Sequence, residues 1–177
     1  QEVREVLKRE FIPSRSGLIS QYKAILREKL GREGEMIVER VEELAARLKQ
    51  EGKNKIVVIS ATYSGGGVAE MFKTAGFLLK ELGIDLEWHI VYPAQPEFYD
   101  VTKAVHNNIQ GQEVYLTDEQ LNLLDETGRV NAKILQDVFL DPSVGRVYLE
   151  DPQVVAMIKH IKKINPDIPV TFRLHID

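Results

Sequence analysis

An unbroken apolar run at residues 56–59, within the predicted strand 55–60, is the feature that most constrains how this chain can fold. It contains four consecutive β-branched residues and shows no alternation of apolar and polar positions. A strand of this composition is typical of a parallel sheet that helices cover on both faces. Three glycines follow at positions 65–67, and residues 68–82 then carry an apolar stripe with helical spacing. The segment therefore predicts a strand, a glycine-rich turn and a crossover helix.

The rest of the chain repeats this alternation of strands and helices. The apolar patterns predict further strands at residues 84–91, 146–149 and 170–174, and helices at 35–50, 96–110, 118–138 and 152–163. We expect the helix at 118–138 to be weakened around Gly128. Since no internal repeat or linker interrupts the pattern, it predicts one α/β domain with a Rossmann-like, doubly wound parallel sheet.

The composition excludes several functional classes. The chain has 177 residues, enough for one domain, and its formal net charge of -4 disfavours nucleic acid as a partner. It has no cysteine, which excludes disulfides, thiolate nucleophiles and cysteine-ligated zinc. No apolar run of membrane-spanning length and no signal-peptide pattern can be seen, so we expect a cytoplasmic protein with no membrane partner.

Both ends of the sequence suggest a segment of a longer protein. The chain begins without methionine, and its last predicted strand lies close to its final residue. We expect residues 1–34 to form an N-terminal arm and residues 35–177 to form the α/β domain.

The glycines after the first strand mark the strongest candidate ligand site. In open parallel sheets, ligands bind at the carboxyl ends of the strands, where this loop lies. Gly65, Gly66 and Gly67 would let the backbone approach a phosphate or a sugar hydroxyl, and the next helix would offer free N–H groups. Glu70 stands where a dinucleotide-binding loop has its third glycine, and the Gly-Lys-Ser/Thr of a P-loop is missing. A tight turn without a ligand is the alternative.

Polar residues near two other strand ends are weaker candidates. Asp151 precedes Pro152, and a helix N-cap with proline in the first helical position explains this pair by itself. His175 and Asp177 end the last strand. The histidine is equally compatible with a hydrogen-bonded core residue and with a ligand contact.

The remaining histidines carry less information. His106 and Asn107 follow a helix in a polar stretch, where a solvated or capping cluster is the simpler interpretation. His89 and His160 are expected to be structural or exposed. The spacing of His, Asp and Glu residues suggests no metal site, and no nucleophile elbow is present. We therefore expect neither a metal nor a cofactor.

Five ordered blocks of residues together resemble a known family. They are Ser64-Gly65-Gly66-Gly67-Val68-Ala69-Glu70-Met71; Leu82-Gly83-Ile84-Asp85 with Trp88; Phe98-Tyr99-Asp100-Val101-Thr102-Lys103 with His106-Asn107 and Gln110-Gly111; Asp151-Pro152-Gln153; and His175-Ile176-Asp177. In this order they resemble the N-terminal half of trehalose synthases of the glycosyltransferring type and of the related trehalose phosphorylases. These enzymes belong to the retaining glycosyltransferase family 4 and have the two-domain GT-B fold. The resemblance covers residues 55–177.

The resemblance implies a fold and a reaction. The chain would be the N-terminal, acceptor-side half of a GT-B enzyme, whose C-terminal domain binds the nucleotide sugar. The enzyme would transfer glucose from a nucleotide diphosphate sugar, UDP- or ADP-glucose, to a sugar acceptor with retention of the anomeric configuration. Without its C-terminal domain, the isolated chain is expected to be inactive. A homodimer is left open.

The resemblance also implies roles for individual residues. They are, in chain order, Gly65, Gly66 and Gly67 near the donor phosphates and acceptor, His106 and Asn107 near the acceptor sugar, Asp151 and Gln153 on acceptor hydroxyls, His175 near the donor sugar, and Asp177 in support of the histidine or acceptor. The ring or backbone carbonyl of His175 would stabilise positive charge that develops on the donor sugar, which makes it the candidate catalytic residue.

Two positions depart from the family pattern. The family has histidine where this chain has Glu150, and a second proline where it has Val154. Both departures lie on the acceptor side, so a different acceptor is an alternative to glucose. Two further alternatives are a phosphorylase that releases glucose 1-phosphate and a non-catalytic module that binds a sugar or nucleotide.

Overall fold

A computed structural model describes the backbone of residues 8–9, and residues 17–62, 67–93 and 95–175 in full. The elements, in chain order, are β1 (Lys8–Arg9), α1 (Leu18–Leu30), α2 (Arg32–Gln50), β2 (Lys55–Ser60), α3 (Gly67–Glu81), β3 (Asp85–Ile90), α4 (Phe98–Ile109), α5 (Asp118–Ile134), α6 (Gln136–Leu140), β4 (Val144–Glu150), a 3-10 turn (Pro152–Val154), α7 (Met157–Ile164) and β5 (Val170–Arg173).

The strands form one sheet in the order β1-β3-β2-β4-β5. Strands β2 to β5 are mutually parallel, and β1 pairs antiparallel with β3 at the edge. The chain leaves β2 for β3 on one side and then returns to β4 on the other side. The direction of winding therefore reverses between β2 and β4, which is the topological switch point of a doubly wound fold. This confirms the predicted Rossmann-like architecture, which is consistent with half of a GT-B fold.

Strand β2 lies between two apolar layers, as its sequence predicts. Val57 and Ile59 belong to a core that contains residues of α5, α6 and α7. Val58, on the opposite face, packs in a second core with Phe72 of α3 and Trp88 of β3. Neither face of the strand is exposed to solvent, and for this reason its sequence does not alternate between apolar and polar residues.

Strand β3 buries polar side chains within the sheet. Glu87 and His89 point to the same face because residues two apart in a strand do so, and both are buried. His89 Nε2 lies 2.8 Å from Glu87 Oε1, and Lys55 Nζ lies 3.5 Å from Glu87 Oε2. Because these buried polar groups pair with one another, strand β3 can carry polar residues at alternate positions and still be covered by protein on both faces.

Gly128 has a different role from the one that its sequence predicts. Helix α5 continues through it, and the helical segment ends instead at Leu135, before α6. A Cβ atom on Gly128 would lie 2.9 Å from the carbonyl carbon of Ala156. The absence of a side chain therefore lets α5 pack directly on the backbone that leads into α7.

The N-terminal helices pack on one another and on the sheet's first crossover helix. Helix α1 contacts both α2 and α3. Gly34 allows this contact, since a Cβ atom there would lie 2.1 Å from the carbonyl oxygen of Leu26. The boundary at residues 34/35 stays a prediction. Within the described ranges, no helix has the length and apolar character that crossing a membrane requires.

An ion pair joins the amino-terminal ends of β2 and β4. The Lys55 ammonium lies 2.5 Å from Asp141 Oδ2, and the hydroxyl and backbone N–H of Ser143 donate to Asp141 Oδ1 at 2.6 and 2.8 Å. The hydrogen bonds from Lys55, then those from Ser143, lower the pKa of Asp141 to about 2. Stabilisation from this carboxylate is therefore present above its unfolded-state pKa, and it is lost as the pH falls through the folded-state value.

We expect Asp141→Asn to flatten the acid limb of the stability curve. Urea unfolding measured from about pH 5 down to about pH 2 should show a smaller loss of free energy in the variant than in the parent, because the depressed carboxyl pKa is gone. The matched control is Asp167→Asn, an exposed carboxylate in the turn before β5. Identical acid limbs for parent and Asp141→Asn would contradict this account.

Candidate functional site

The carboxyl ends of β2, β4 and β5 carry the polar side chains that converge in this fold. Beside β2, Ser60 accepts a hydrogen bond from Trp88 Nε1 at 2.8 Å and donates one to the carbonyl of Thr62 at 3.0 Å. Glu150 is the last residue of β4, Asp151 follows it, and His175 lies just beyond β5. Since β2 and β4 flank the switch point, this is the edge where a doubly wound sheet opens a crevice.

Glu150 is the centre of the polar cluster. Its side chain is fully buried. Arg173, its register partner on β5, donates from Nε at 2.9 Å and from Nη2 at 2.7 Å, both to Oε1. Parallel pairing places these two residues side by side on the same face of the sheet, so the ion pair follows from the strand register.

Two aromatic rings hold the guanidinium of Arg173. Its central carbon lies 5.2 Å from the ring centroid of Phe72 and 4.7 Å from that of Tyr148. Such contacts stabilise a cation and limit its movement. Because Phe72 is five residues after Gly67, about 7.5 Å along the axis of α3, the same contact brings the amino-terminal half of α3 to the cluster.

His175 is attached to β4 at two points. Its ring Nε2 lies 2.6 Å from Glu150 Oε2, and its backbone N–H donates to Asp151 Oδ1 at 2.9 Å. Its side chain is 30% exposed. The histidine is therefore both hydrogen-bonded within the protein and accessible from solvent. This position is compatible with a hydrogen-bonded structural residue and with a ligand contact.

Asp151 has a strained backbone at this edge. Its φ of 69° and ψ of 168° belong to a region that glycine occupies, and it is the one non-glycine residue with positive φ in the described ranges. Its N–H donates to the carbonyl of Arg173 at 2.9 Å. Its side chain does not cap the following turn, as the Asp-Pro pair had suggested, but binds the backbone of His175. The strained backbone of Asp151 thus occurs where two hydrogen bonds connect the ends of β4 and β5.

Gln153 presents an unsatisfied acceptor in the 3-10 turn. Its side-chain Oε1 is buried and has no hydrogen-bond partner. A buried polar atom without a partner costs free energy, and a ligand hydroxyl is one of the groups that could satisfy it. Helix α4 packs against this turn and so forms a wall beside it.

Asn131 supports the loop after β3. It is fully buried, its Oδ1 accepts from the N–H of Tyr92 at 2.7 Å, and its Nδ2 donates to the carbonyl of Tyr92 at 2.6 Å. The Asn131 side chain thus makes the two hydrogen bonds with the Tyr92 backbone that a neighbouring strand would otherwise make. Sequence reasoning did not single out Asn131 or Arg173. For Arg173 a signal existed, since it lies two residues before His175 and hence on the same strand face.

The structure brings some of the predicted site residues together. Asp151, Gln153 and His175 lie at the same edge, and Gly67 begins α3 with open space around its Cα. Gly65, Gly66 and Asp177 lie outside the described residues.

The predicted pair His106 and Asn107 lies in the last turns of α4, inside the helix predicted over 96–110, and so does not follow a helix as the polar stretch had suggested. Their side chains make no hydrogen bond within the part of the chain that the structure describes. By contrast, His89 and His160 are buried and bonded to Glu87 and to Asp125, which confirms the structural role expected of them.

A separate cavity lies between α4 and α5. Its volume is about 640 Å³, and carboxylates and amides dominate its lining. The lining includes Glu97, Asp100, Glu119 and Glu126, none of which contacts the Glu150 cluster. It is therefore not part of the switch-point site.

A family model described as "Trehalose synthase, N-terminal domain" matches residues 58–177. The chain belongs to this family. It is 35% identical over 161 residues to the trehalose synthase of Pyrococcus horikoshii, which covers 90% of this chain and 34% of that protein. It is 31% identical over 159 residues to the trehalose synthase of Rubrobacter xylanophilus, covering 90% of this chain and 35% of that protein.

A second group of relatives has a different name. The chain is 34% identical over 140 residues to the trehalose phosphorylase of Pleurotus pulmonarius, covering 72% of this chain and 18% of that protein. The resemblance read from the sequence is thus confirmed. The chain spans about a third of the length of the synthases and less than a fifth of that phosphorylase.

We expect Arg173→Met to be strongly destabilising. It would leave the buried Glu150 carboxylate without a counter-ion. Such a loss costs about 3–5 kcal/mol where both partners are buried, and the 36% exposure of the Arg173 side chain puts the expected cost toward the lower end. The matched control is Arg146→Met on β4, an exposed residue whose guanidinium donates, among the described residues, only to the Thr171 hydroxyl. That change should cost at most about 1 kcal/mol. Chemical unfolding measures the loss of unfolding free energy in each variant. Equal losses would show that the ion pair with Glu150 contributes no more to stability than the exposed contact of Arg146.

Proposed function

We propose that this chain is the acceptor-side domain of a retaining glycosyltransferase resembling trehalose synthase. The reaction is the transfer of glucose from a nucleotide diphosphate sugar, UDP- or ADP-glucose, to a sugar acceptor. The observation that carries the proposal is the convergence of Asp151, His175 and the unsatisfied Gln153 oxygen at one edge of the sheet. Family membership supports the same reaction class.

The acceptor sugar would be held by the residues after β4. Gln153 Oε1 would accept a hydrogen bond from one sugar hydroxyl. Asp151 commits Oδ1 to His175, and its other oxygen, which has no hydrogen bond within the described residues, would accept from a second hydroxyl. Oriented acceptors of this kind fix a sugar for attack and so lower the entropic part of the barrier. His106 and Asn107 would approach the sugar from α4.

The donor would lie between α3 and His175. Helix α3 begins at Gly67 beside the glycine loop, and its free N–H groups and positive dipole end would stabilise the departing diphosphate. His175 would stabilise the positive charge that develops on the glucosyl ring as the bond to the diphosphate breaks. The rest of the longer protein would grip the nucleotide, so the chain by itself is not expected to turn over.

A second candidate is a phosphorylase that uses inorganic phosphate. The similarity to the Pleurotus enzyme over 140 residues supports it. Its chemistry would place phosphate where the nucleotide diphosphate lies in the first candidate. The residues after β4 would bind the sugar acceptor in both reactions. The other domain would determine whether phosphate or a nucleotide is bound.

Assay of the full-length protein decides between these candidates. We expect UDP- or ADP-glucose with glucose to yield a glucosyl disaccharide, with the anomeric configuration of the donor retained. Release of glucose 1-phosphate from trehalose only when phosphate is present would favour the phosphorylase. Binding of sugar or nucleotide with neither reaction, over a panel of small sugar acceptors, would overturn both in favour of a binding module.

We expect Gln153→Met to weaken acceptor binding without loss of stability. The change removes an acceptor that has no partner in the protein, so no internal hydrogen bond is lost. The loss of one hydrogen bond to the sugar should raise the acceptor KM about two- to tenfold. Gln112→Met, at an exposed position, is the matched control. An unchanged KM in Gln153→Met would remove this residue from the acceptor site.

A further inference from the structure

Glu150 stands where the family resemblance expects histidine, and it lies at the centre of the cluster. It is fully buried, and both of its carboxylate oxygens have partners. A departure from the family pattern that had no function would be expected at an exposed position, since burying a charge is costly unless it is paired and hydrogen-bonded. The question is what this carboxylate does for its two partners.

Arg173 fixes one side of the carboxylate. Both of its donors, Nε and Nη2, converge on Oε1, and the rings of Phe72 and Tyr148 restrain the guanidinium. The position occupied by Oε1 must therefore be a hydrogen-bond acceptor. Oε2, the remaining oxygen, is thereby directed at His175.

The second oxygen determines which ring nitrogen of His175 carries the proton. Oε2 lies 2.6 Å from Nε2. An ionised carboxylate only accepts hydrogen bonds, so Nε2 must be the donor and carry hydrogen. In the neutral ring, Nδ1 is then unprotonated and can only accept. Nδ1 makes no hydrogen bond with the described part of the chain.

The backbone of His175 is fixed from the same strand end. Asp151 Oδ1 accepts from its N–H at 2.9 Å, and the Asp151 N–H is bonded to Arg173. The imidazole is thus held at its main chain and at Nε2. Two anchors leave the ring little freedom to turn, so the direction of the Nδ1 lone pair is also fixed.

We propose that Glu150 is a positioning residue, which holds His175 as the Nε2–H tautomer and keeps Nδ1 as a lone-pair acceptor for the bound sugar. The part that concerns the sugar rests on the proposed function. A lone pair, and not an N–H, then faces the substrate. It accepts a hydrogen bond from a sugar hydroxyl and favours the growth of positive charge on the glucosyl ring. The histidine is in this view a fixed acceptor and not a proton donor.

The isosteric variant Glu150→Gln tests the proposal because it should invert the tautomer. The two Arg173 donors will require the amide oxygen at the Oε1 position. The amide nitrogen then takes the Oε2 position and donates to His175 Nε2, which must become the acceptor. The proton moves to Nδ1, and the lone pair is lost from the substrate side.

The measurement is the side-chain ¹⁵N spectrum of the full-length protein, labelled at histidine and recorded at about pH 8.5, where an ordinary imidazole is neutral. His175→Gln identifies the signal by difference. We expect an Nε2–H tautomer in the parent and an Nδ1–H tautomer in Glu150→Gln. An Nδ1–H or doubly protonated ring in the parent, or an unchanged tautomer in the variant, would overturn the proposal.

Asp125→Asn is the matched control. Asp125 Oδ1 lies 2.6 Å from His160 Nε2, the same type of contact on helices away from the cluster. The change should alter the His160 signal and leave that of His175 as it was. A shift of the His175 tautomer in Asp125→Asn would mean that the readout reports general loosening and would count against the proposal.

Kinetics separate this inference from the proposed function. If the full-length enzyme transfers glucose, Glu150→Gln should lower kcat about 10- to 100-fold with little change in the acceptor KM, as expected when an inverted histidine misdirects a reactive group. An unchanged kcat despite an inverted tautomer would overturn the lone-pair role. If no transfer or phosphorolysis occurs but the tautomer inverts, the proposed function fails while the positioning of His175 by Glu150 stands.

Discussion

Strand β2 has no exposed face, and the rest of the domain follows from that constraint. Its β-branched side chains need protein on both sides, so helices must cross on both faces and the winding must reverse beside the strand. The reversal separates the crossover helices at the carboxyl ends of β2 and β4. A crevice at that edge is thus a consequence of burying one strand completely.

The polar cluster occupies the edge that this topology leaves open. Three ionisable side chains from two neighbouring strands meet there, with Glu150 between Arg173 and His175. A buried carboxylate is unfavourable alone, and its cost is offset only when counter-ion and hydrogen bonds are complete. The cluster therefore has few alternative arrangements. A rigid polar edge suits a site that must orient a sugar, because each hydroxyl can pair with acceptors fixed in advance.

Membership of the trehalose synthase N-terminal family gives this edge its chemical context. The chain matches about a third of the length of the synthases to which it is similar, and under the proposed function it would form one side of the cleft. Glu150 stands where the resemblance predicts histidine, and its carboxylate pairs with Arg173, its register partner on β5.

The sequence by itself determined the four parallel strands of the sheet and the family, but not the edge strand β1. The apolar run of β2 and the helical spacing of apolar residues are local signals, and the helices and parallel strands lie close to where these signals predict them. Asp151 and His175 could be named as site candidates because each follows a predicted strand, and Gln153 could be named from the family resemblance. Their arrangement could not be derived, because it depends on contacts between residues far apart in the chain. Only the tertiary structure decided that Glu150 lies between Arg173 and His175, that Asp151 binds a backbone amide and does not cap a turn, and that Gly128 admits a neighbouring backbone. The physical reason is that strand periodicity fixes the face on which a side chain lies, while register and packing fix which other side chain it meets.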